Sequence, residues 1–283
     1  MRLKKTTNEE LAEFAVLLEE AFLESGVDIP RGSEVAGYID AAKRLSRARI
    51  EGEDLSNMGE PKFLALVEKV LECQRLATAV RWARSEPNLA RHMERLLRGS
   101  VDPTAKKRTA AKDKAFELIM HSIFNSSGIC ARLAEPDIVF ALEGREYSIA
   151  CKCLYSPKNI QKQISRAKRQ IVESGRRGLI AMSIENVVRL KDLLFVPDLE
   201  ALNDRITRAA GAFAKHYDTQ FAKWINTAKV IGLMMSLSSL ITVQRENLFL
   251  SAQHVILMNR VSEDSPYFSV LTEINELLFR KQP

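Results

Sequence analysis

The apolar residues follow a purely helical pattern in the first hundred residues and a mixed helical and strand pattern after them, and this difference limits the possible folds more than any other feature. In residues 1–100 the apolar residues recur at helical intervals, for example Leu11, Phe14, Leu18 and Phe22. After Gly128 they form short runs bounded by turn residues, which is typical of strands. Between the two patterns lies the turn-forming segment Gly99-Ser-Val-Asp-Pro103. The sequence therefore predicts a helical region of residues 1–100 and a second region of residues 101–283.

Apolar spacing, capping residues and turn residues predict the individual elements. Helices are predicted over residues 7–26, 35–49, 61–84, 87–99, 104–127, 158–173, 199–227 and 267–280. Strands are predicted over residues 129–133, 137–142, 147–153, 178–184, 230–237 and 253–259. The four residues 143–146 would connect two of these strands as a hairpin. This order predicts an α/β fold in which helices flank a mixed sheet.

Positive charge is concentrated in the middle quarter of the chain. Residues 101–177 carry 15 Lys and Arg against 8 Asp and Glu, whereas the whole chain has a net charge of +6. A local excess of this kind favours an anionic partner, of which nucleic acid is the commonest. A basic face that serves only solubility is the alternative.

The hairpin is predicted to bring together two residues of opposite charge. Side chains alternate along a strand, so Asp137 and Lys152 would lie side by side on one exposed face. A carboxylate beside a lysine can bind Mg²⁺ and stabilise an attacking water or a phosphate. The same two residues could equally form an ordinary cross-strand ion pair.

A basic amphipathic helix follows the hairpin. Its basic residues recur at intervals of three and four, which aligns them on one face: Lys158, Lys162, Arg166 and Arg169. Such a face can neutralise several backbone phosphates without reading their sequence. Gln163 and Gln170 lie at the border of this face and are candidates for the same site.

Taken in order, these features resemble the PD-(D/E)xK nuclease superfamily. They are a helix ending at Gly128, the pair Pro136-Asp137, an apolar strand ending in Lys152, and a basic helix. The resemblance covers residues 112–184 and implies a restriction-endonuclease-like fold. It implies that Asp137 binds Mg²⁺ or Mn²⁺ and that Lys152 assists the water nucleophile. In similar nucleases a polar residue of the basic helix, here Gln163 or Gln170, lies near the active site.

One position departs from the pattern of this superfamily. Asp or Glu is expected two residues before the lysine, where this chain has Ala150. The second metal-binding carboxylate would then come from Glu117 on the preceding helix or from Glu135, and the main-chain carbonyl of Cys151 would be a further ligand. Glu117 could instead be an ordinary solvated residue, and Pro136 interrupts the alternation that Glu135 needs.

These features predict a metal-dependent endonuclease that hydrolyses phosphodiester bonds, in DNA rather than RNA, with Asp137, Lys152 and Glu117 as catalytic residues. A role in restriction or phage defence follows from family analogy alone. One alternative is a catalytically degenerate nuclease fold that binds nucleic acid or a partner without cutting. The other is an interaction protein whose basic patch binds an acidic protein.

The remaining expectations concern environment and partners. Four Cys in 283 residues do not make a disulfide framework, which predicts a reducing cytoplasm. The longest apolar run, residues 230–243, is shorter than the roughly 20 residues that cross a bilayer, so we expect no membrane partner. The neutral helical region of residues 1–100 is interpreted as a partner or sensing module, through which a regulatory protein could bind, rather than as a second DNA surface. A homodimer is a further option.

Overall fold

A computed structural model describes residues 8–53, 55–102, 105, 107–188, 195–225, 229–243, 248–258, 261 and 263–279. Its helices are α1 (Asn8–Glu24), α2 (Glu34–Glu51), α3 (Glu60–Ala83), α4 (Leu89–Leu96), α5 (Ala110–Ser126), α6 (Ile160–Glu173), α7 (Leu199–His216), α8 (Asp218–Ile225) and α9 (Phe268–Phe279). Its strands are β1 (Ala131–Ala134), β2 (Asp137–Leu142), β3 (Arg145–Cys153), β4 (Arg177–Ser183), β5 (Phe195–Val196), β6 (Val230–Val243) and β7 (Leu248–Met258). The predicted helical region and the predicted mixed α/β architecture are both confirmed.

The strands form one mixed sheet. Strands β1, β2 and β3 pair in antiparallel fashion, and β4 and β6 continue the sheet in parallel from β3. The long strand β6 then pairs with β7 in antiparallel fashion and, near its end, with β5 in parallel. Thr242 pairs with both Phe195 and Phe249, so β5 lies on the side of β6 away from β7.

Helices cover both faces of the sheet through two hydrophobic clusters. One cluster contains buried side chains of α1–α5 together with Ile138, Ile149 and Cys151 of the sheet. The other contains the apolar face of α6, the buried residues of α7 and α8, and Ala150 of β3. The helical region thus packs on the sheet through a shared core, while the division at residues 99–103 stays a prediction.

Several element boundaries differ from those predicted, for local reasons. Helix α5 begins at Ala110 because the Thr109 side chain accepts a hydrogen bond from Lys112 N–H and caps it. The β2–β3 connection has two residues, Glu143 and Gly144, whose positive φ angles of 48° and 72° suit a tight hairpin turn. The helix predicted over residues 199–227 is divided at Tyr217.

Other predicted boundaries were too narrow or fall on residues that the structure does not describe. Strand β6 extends to Val243, β7 begins at Leu248, and β5 was not predicted. The predicted ends at residues 7, 104, 227, 259 and 280 lie outside the described residues.

Two further findings concern the cysteines and the helices. All four cysteines are free thiols. None of the helices in the described residues is long and apolar enough to span a bilayer.

Candidate active site

A cleft of about 450 Å³ opens between α5, the β2–β3 hairpin and α6. It brings together most of the site residues that the sequence predicts. These are Glu117, Asp137, Cys151, Lys152, Gln163, Arg166, Arg169 and Gln170. Glu135, Lys158 and Lys162 are exposed and do not line this cleft.

The β2–β3 hairpin places Asp137 and Lys152 in contact, as strand alternation predicts. Ile138 pairs with Ile149, which sets the register. Lys152 Nζ lies 3.3 Å from Asp137 Oδ2 and donates to the Cys151 carbonyl at 2.6 Å. The prediction that these side chains lie on an exposed face is wrong, because only 9% of the Asp137 side chain and 15% of the Lys152 side chain are accessible. This pair therefore forms the floor of the cleft together with Glu117 and Cys151.

Burial makes Asp137 a weak acid. Its pKa is raised from 3.8 to about 7, chiefly by loss of hydration and then by the negative charge of Glu117. The charge of Lys152 and a hydrogen bond of 2.7 Å donated by Cys151 N–H to Asp137 Oδ2 act in the opposite direction. A carboxylate in a cleft whose pKa is perturbed by burial and by a second carboxylate is a candidate functional group.

Glu117 projects from α5 into the same cleft and is buried rather than solvated. Burial raises its pKa, but hydrogen bonds and positive charge from His92 and Lys114 outweigh burial, so the pKa lies below its usual value. Lys114 Nζ donates to Glu117 Oε2, and His92 Nε2 lies 3.4 Å from the same oxygen. Glu117 is therefore ionised and held in place from two sides.

The two other positions considered for a second acid lie elsewhere. Glu135 is exposed in the turn that joins β1 to β2, and it does not line the cleft with Asp137. Ala150 is fully buried in the hydrophobic cluster that includes Ile164 of α6. Of the two candidate carboxylates, Glu117 and Glu135, only Glu117 lines the cleft with Asp137.

Helix α6 supplies the basic side of the cleft. Its apolar residues are buried, as expected of an amphipathic helix: Ile160, Ile164, Ala167 and Ile171. This packing turns Arg166, Arg169, Gln163 and Gln170 towards the cleft. The Oε1 atom of Gln170 is buried and has no hydrogen-bond partner among the described residues, so it is available to a molecule in the cleft.

Sequence reasoning missed four residues of the site. Lys114, Arg95 and Arg108 line the cleft, and His92 contacts Glu117. The spacing of three between Lys114 and Glu117 was a usable signal, since such pairs meet on a helix surface. His92 and Arg95 belong to α4, and no local pattern links that helix to Asp137.

The donor set at the floor of the cleft fits a hard divalent cation. Mg²⁺ is bound in proteins by one or two carboxylates and keeps several waters. Asp137, Glu117 and the Cys151 carbonyl supply such donors, and the Lys152 ammonium already connects Asp137 Oδ2 with that carbonyl. A positive charge is thus favoured between these oxygens. Within the described residues no group of three or more His, Cys, Asp and Glu side chains forms a metal site.

Comparison with known proteins adds no family assignment. The sequence matches no protein-family model, and it matches no curated protein.

Proposed function

We propose that this chain is a metal-dependent nuclease that hydrolyses phosphodiester bonds in nucleic acid, with DNA as the preferred substrate. The observation that supports the proposal best is the convergence of two carboxylates, one lysine and two arginines in one cleft. Asp137, Glu117 and Lys152 occupy its floor, and Arg166 and Arg169 occupy its α6 side. The restriction-endonuclease-like fold belongs to the same proposal.

The arginines of α6 would hold the backbone of the substrate. Guanidinium groups bind phosphates through paired hydrogen bonds, and this binding is independent of base sequence. Arg166 is exposed, and the Arg169 side chain is 70% accessible, so both can reach a phosphate outside the protein core. Their position beside Asp137 would set the scissile phosphate over the floor of the cleft.

The floor residues would carry the chemistry. Asp137, Glu117 and the Cys151 carbonyl would hold Mg²⁺ or Mn²⁺, which lowers the pKa of a bound water and polarises the phosphate. Lys152 would donate a hydrogen bond to the attacking water or to a phosphate oxygen, where negative charge develops in the transition state. In the hydrolysis the water loses a proton as its oxygen bonds to phosphorus, the bond from phosphorus to the leaving sugar oxygen breaks, and that oxygen gains a proton.

A cleavage assay tests this function. Purified protein is incubated with plasmid DNA, linear DNA or RNA in the presence of Mg²⁺, Mn²⁺ or EDTA. We expect cutting that needs the metal and is lost in Lys152→Ala. Lys223→Ala is the matched control, because Lys223 is an exposed lysine of α8 that does not line the cleft. Cutting that persists equally in EDTA or in Lys152→Ala would overturn the proposal.

A catalytically degenerate nuclease fold is the second candidate, and Ala150 favours it. With an apolar residue at that position, the described part of the cleft holds only Asp113, Glu117 and Asp137 as carboxylates, and Asp113 is bonded to Arg108 and Tyr155. Calorimetry with Mn²⁺ separates the two candidates. A degenerate protein would bind DNA but not Mn²⁺, whereas a nuclease would bind both.

A further inference from the structure

Helix α4 of the helical region reaches the cleft, although the sequence suggests a separate module. His92 of α4 lies 3.4 Å from Glu117, and its Nδ1 lies 3.1 Å from the Asn88 carbonyl at the start of the same helix. The His92 ring is buried, so these contacts are shielded from water. They fix α4 beside α5 at the edge of the cleft.

One turn along α4, Arg95 lines the cleft. Arg108, in the segment before α5, lines it as well, and Asp113 Oδ2 accepts hydrogen bonds from Arg108 at 3.0 and 3.2 Å. Neither Arg95 nor Arg166 has a carboxylate partner in the part of the chain that the structure describes. Positive charge that no described carboxylate pairs with therefore reaches the cleft from α4 as well as from α6.

We infer that α4 and Arg108 form a second phosphate-binding side of the cleft, with Arg95 as its principal contact. The helical region then binds the substrate backbone itself. This inference rests on the proposed nuclease function and extends it, because it names residues outside the basic helix that hold the substrate backbone.

The residues that line the cleft favour a sugar–phosphate backbone over other anions. Six of them are cationic, on five different elements or segments: Arg95, Arg108, Lys114, Lys152, Arg166 and Arg169. None of the described lining residues is aromatic, so the cleft offers no platform on which a base could stack. Cations from several elements around the carboxylates Asp137 and Glu117 match a chain of phosphates that passes across the proposed metal ligands.

The test measures binding without cleavage. Fluorescence anisotropy follows a labelled oligonucleotide, single-stranded or duplex, titrated with the full chain in EDTA at several salt concentrations. Arg95→Gln is compared with Arg91→Gln, which alters an exposed arginine of the same helix that does not line the cleft. The conservative variant Arg95→Lys keeps the charge.

We expect Arg95→Gln to weaken binding to all sequences. The slope of log affinity against log salt should fall by about 0.9 for duplex DNA, or about 0.7 for a single strand. Arg95→Lys should restore the slope, and Arg91→Gln should leave it unchanged. The oligonucleotide, single-stranded or duplex, whose affinity falls more in Arg95→Gln identifies the form of nucleic acid that the cleft binds.

Two failures have different meanings. If Arg95→Gln binds like Arg91→Gln while Arg166→Gln weakens binding, α4 is not a phosphate contact and the nuclease proposal stands. If the parent protein binds no oligonucleotide, the nucleic-acid function itself is wrong, and the inference falls with it.

Discussion

Replacing Asp137 by Asn should make the metal-free protein more stable at neutral and alkaline pH. Asp137 lies on the floor of the cleft with 9% of its side chain accessible, and its pKa is raised to about 7 by burial and by the charge of Glu117. The ionised carboxylate is therefore a stability cost, which is commonly found where a residue is retained for function. Asn keeps the shape of the side chain and removes the charge.

The size and the pH window follow from the two pKa values. The unfolded chain titrates Asp137 near 3.8 and the folded chain near about 7, so the folded state binds more protons between these values. The cost is absent below pH 3.8, grows as the pH rises, and is complete above pH 7. At 1.36 kcal/mol per pKa unit the full cost is about 4 kcal/mol. Loss of the contact with Lys152 reduces the gain, and we expect about 2–4 kcal/mol.

Thermal unfolding in EDTA at several pH values measures this gain. For a chain of this size about 2 °C corresponds to 1 kcal/mol, so Asp137→Asn should unfold about 4–8 °C higher than the parent at pH 8 and at the same temperature at pH 4. Asp40→Asn, an exposed position of α2, is the control and should show no such trend. Added Mg²⁺ should stabilise the parent more than the variant. A variant that is less stable at every pH would show that Asp137 is held as an ion by Lys152.

Two further predictions concern the second carboxylate and the buried ion pair of α3. Glu117→Gln should weaken Mn²⁺ binding in calorimetry more than Glu135→Gln, because Glu117 lines the cleft and Glu135 is exposed outside it. The opposite order would assign the ligand role to Glu135. Arg75→Met should lower the free energy of unfolding by about 3–5 kcal/mol in urea titrations, because the buried Glu72 carboxylate then loses its ion pair of 2.5 Å. A loss below about 1 kcal/mol would mean that Glu72 takes up a proton or binds a water in the variant.

Local patterns were sufficient for the elements that carry the floor and the α6 side of the cleft. The alternation along β2 and β3 brings Asp137 to Lys152, and the apolar spacing of α6 predicts which face is buried. Both patterns act over a few residues, and a single sequence contains them completely. The predicted four-residue hairpin turn is wrong because a local pattern was missing there. Glu143 adopts a positive φ, which is uncommon for this residue type and leaves no clear sequence signal.

Contacts between distant segments could not be predicted in this way. The burial of Asp137 and Glu117 depends on the packing of α5 on the hairpin and of α4 on α5, which is set by the shared core rather than by any motif. The contact of His92 with Glu117 joins residues 25 positions apart on different helices. The division of the predicted long helix at Tyr217 likewise depends on packing, since its ring lies 4.9 Å from Phe213 and 6.0 Å from Phe221.

The position of Ala150 decides whether the missing acid can simply be restored. Ala150 is fully buried among apolar residues that include Ile164 of α6, so a longer side chain there has no space and a carboxylate has no hydration. Ala150→Glu should therefore lower the unfolding temperature strongly, since an unpaired buried charge costs several kcal/mol, and should not increase Mn²⁺ affinity. Ala150→Gln, which matches the volume without the charge, separates overpacking from desolvation and should be destabilised less at pH 8. A stable Ala150→Glu protein with tighter Mn²⁺ binding would show instead that position 150 opens to the cleft. A carboxylate at position 150 could then replace Glu117 as the second metal ligand.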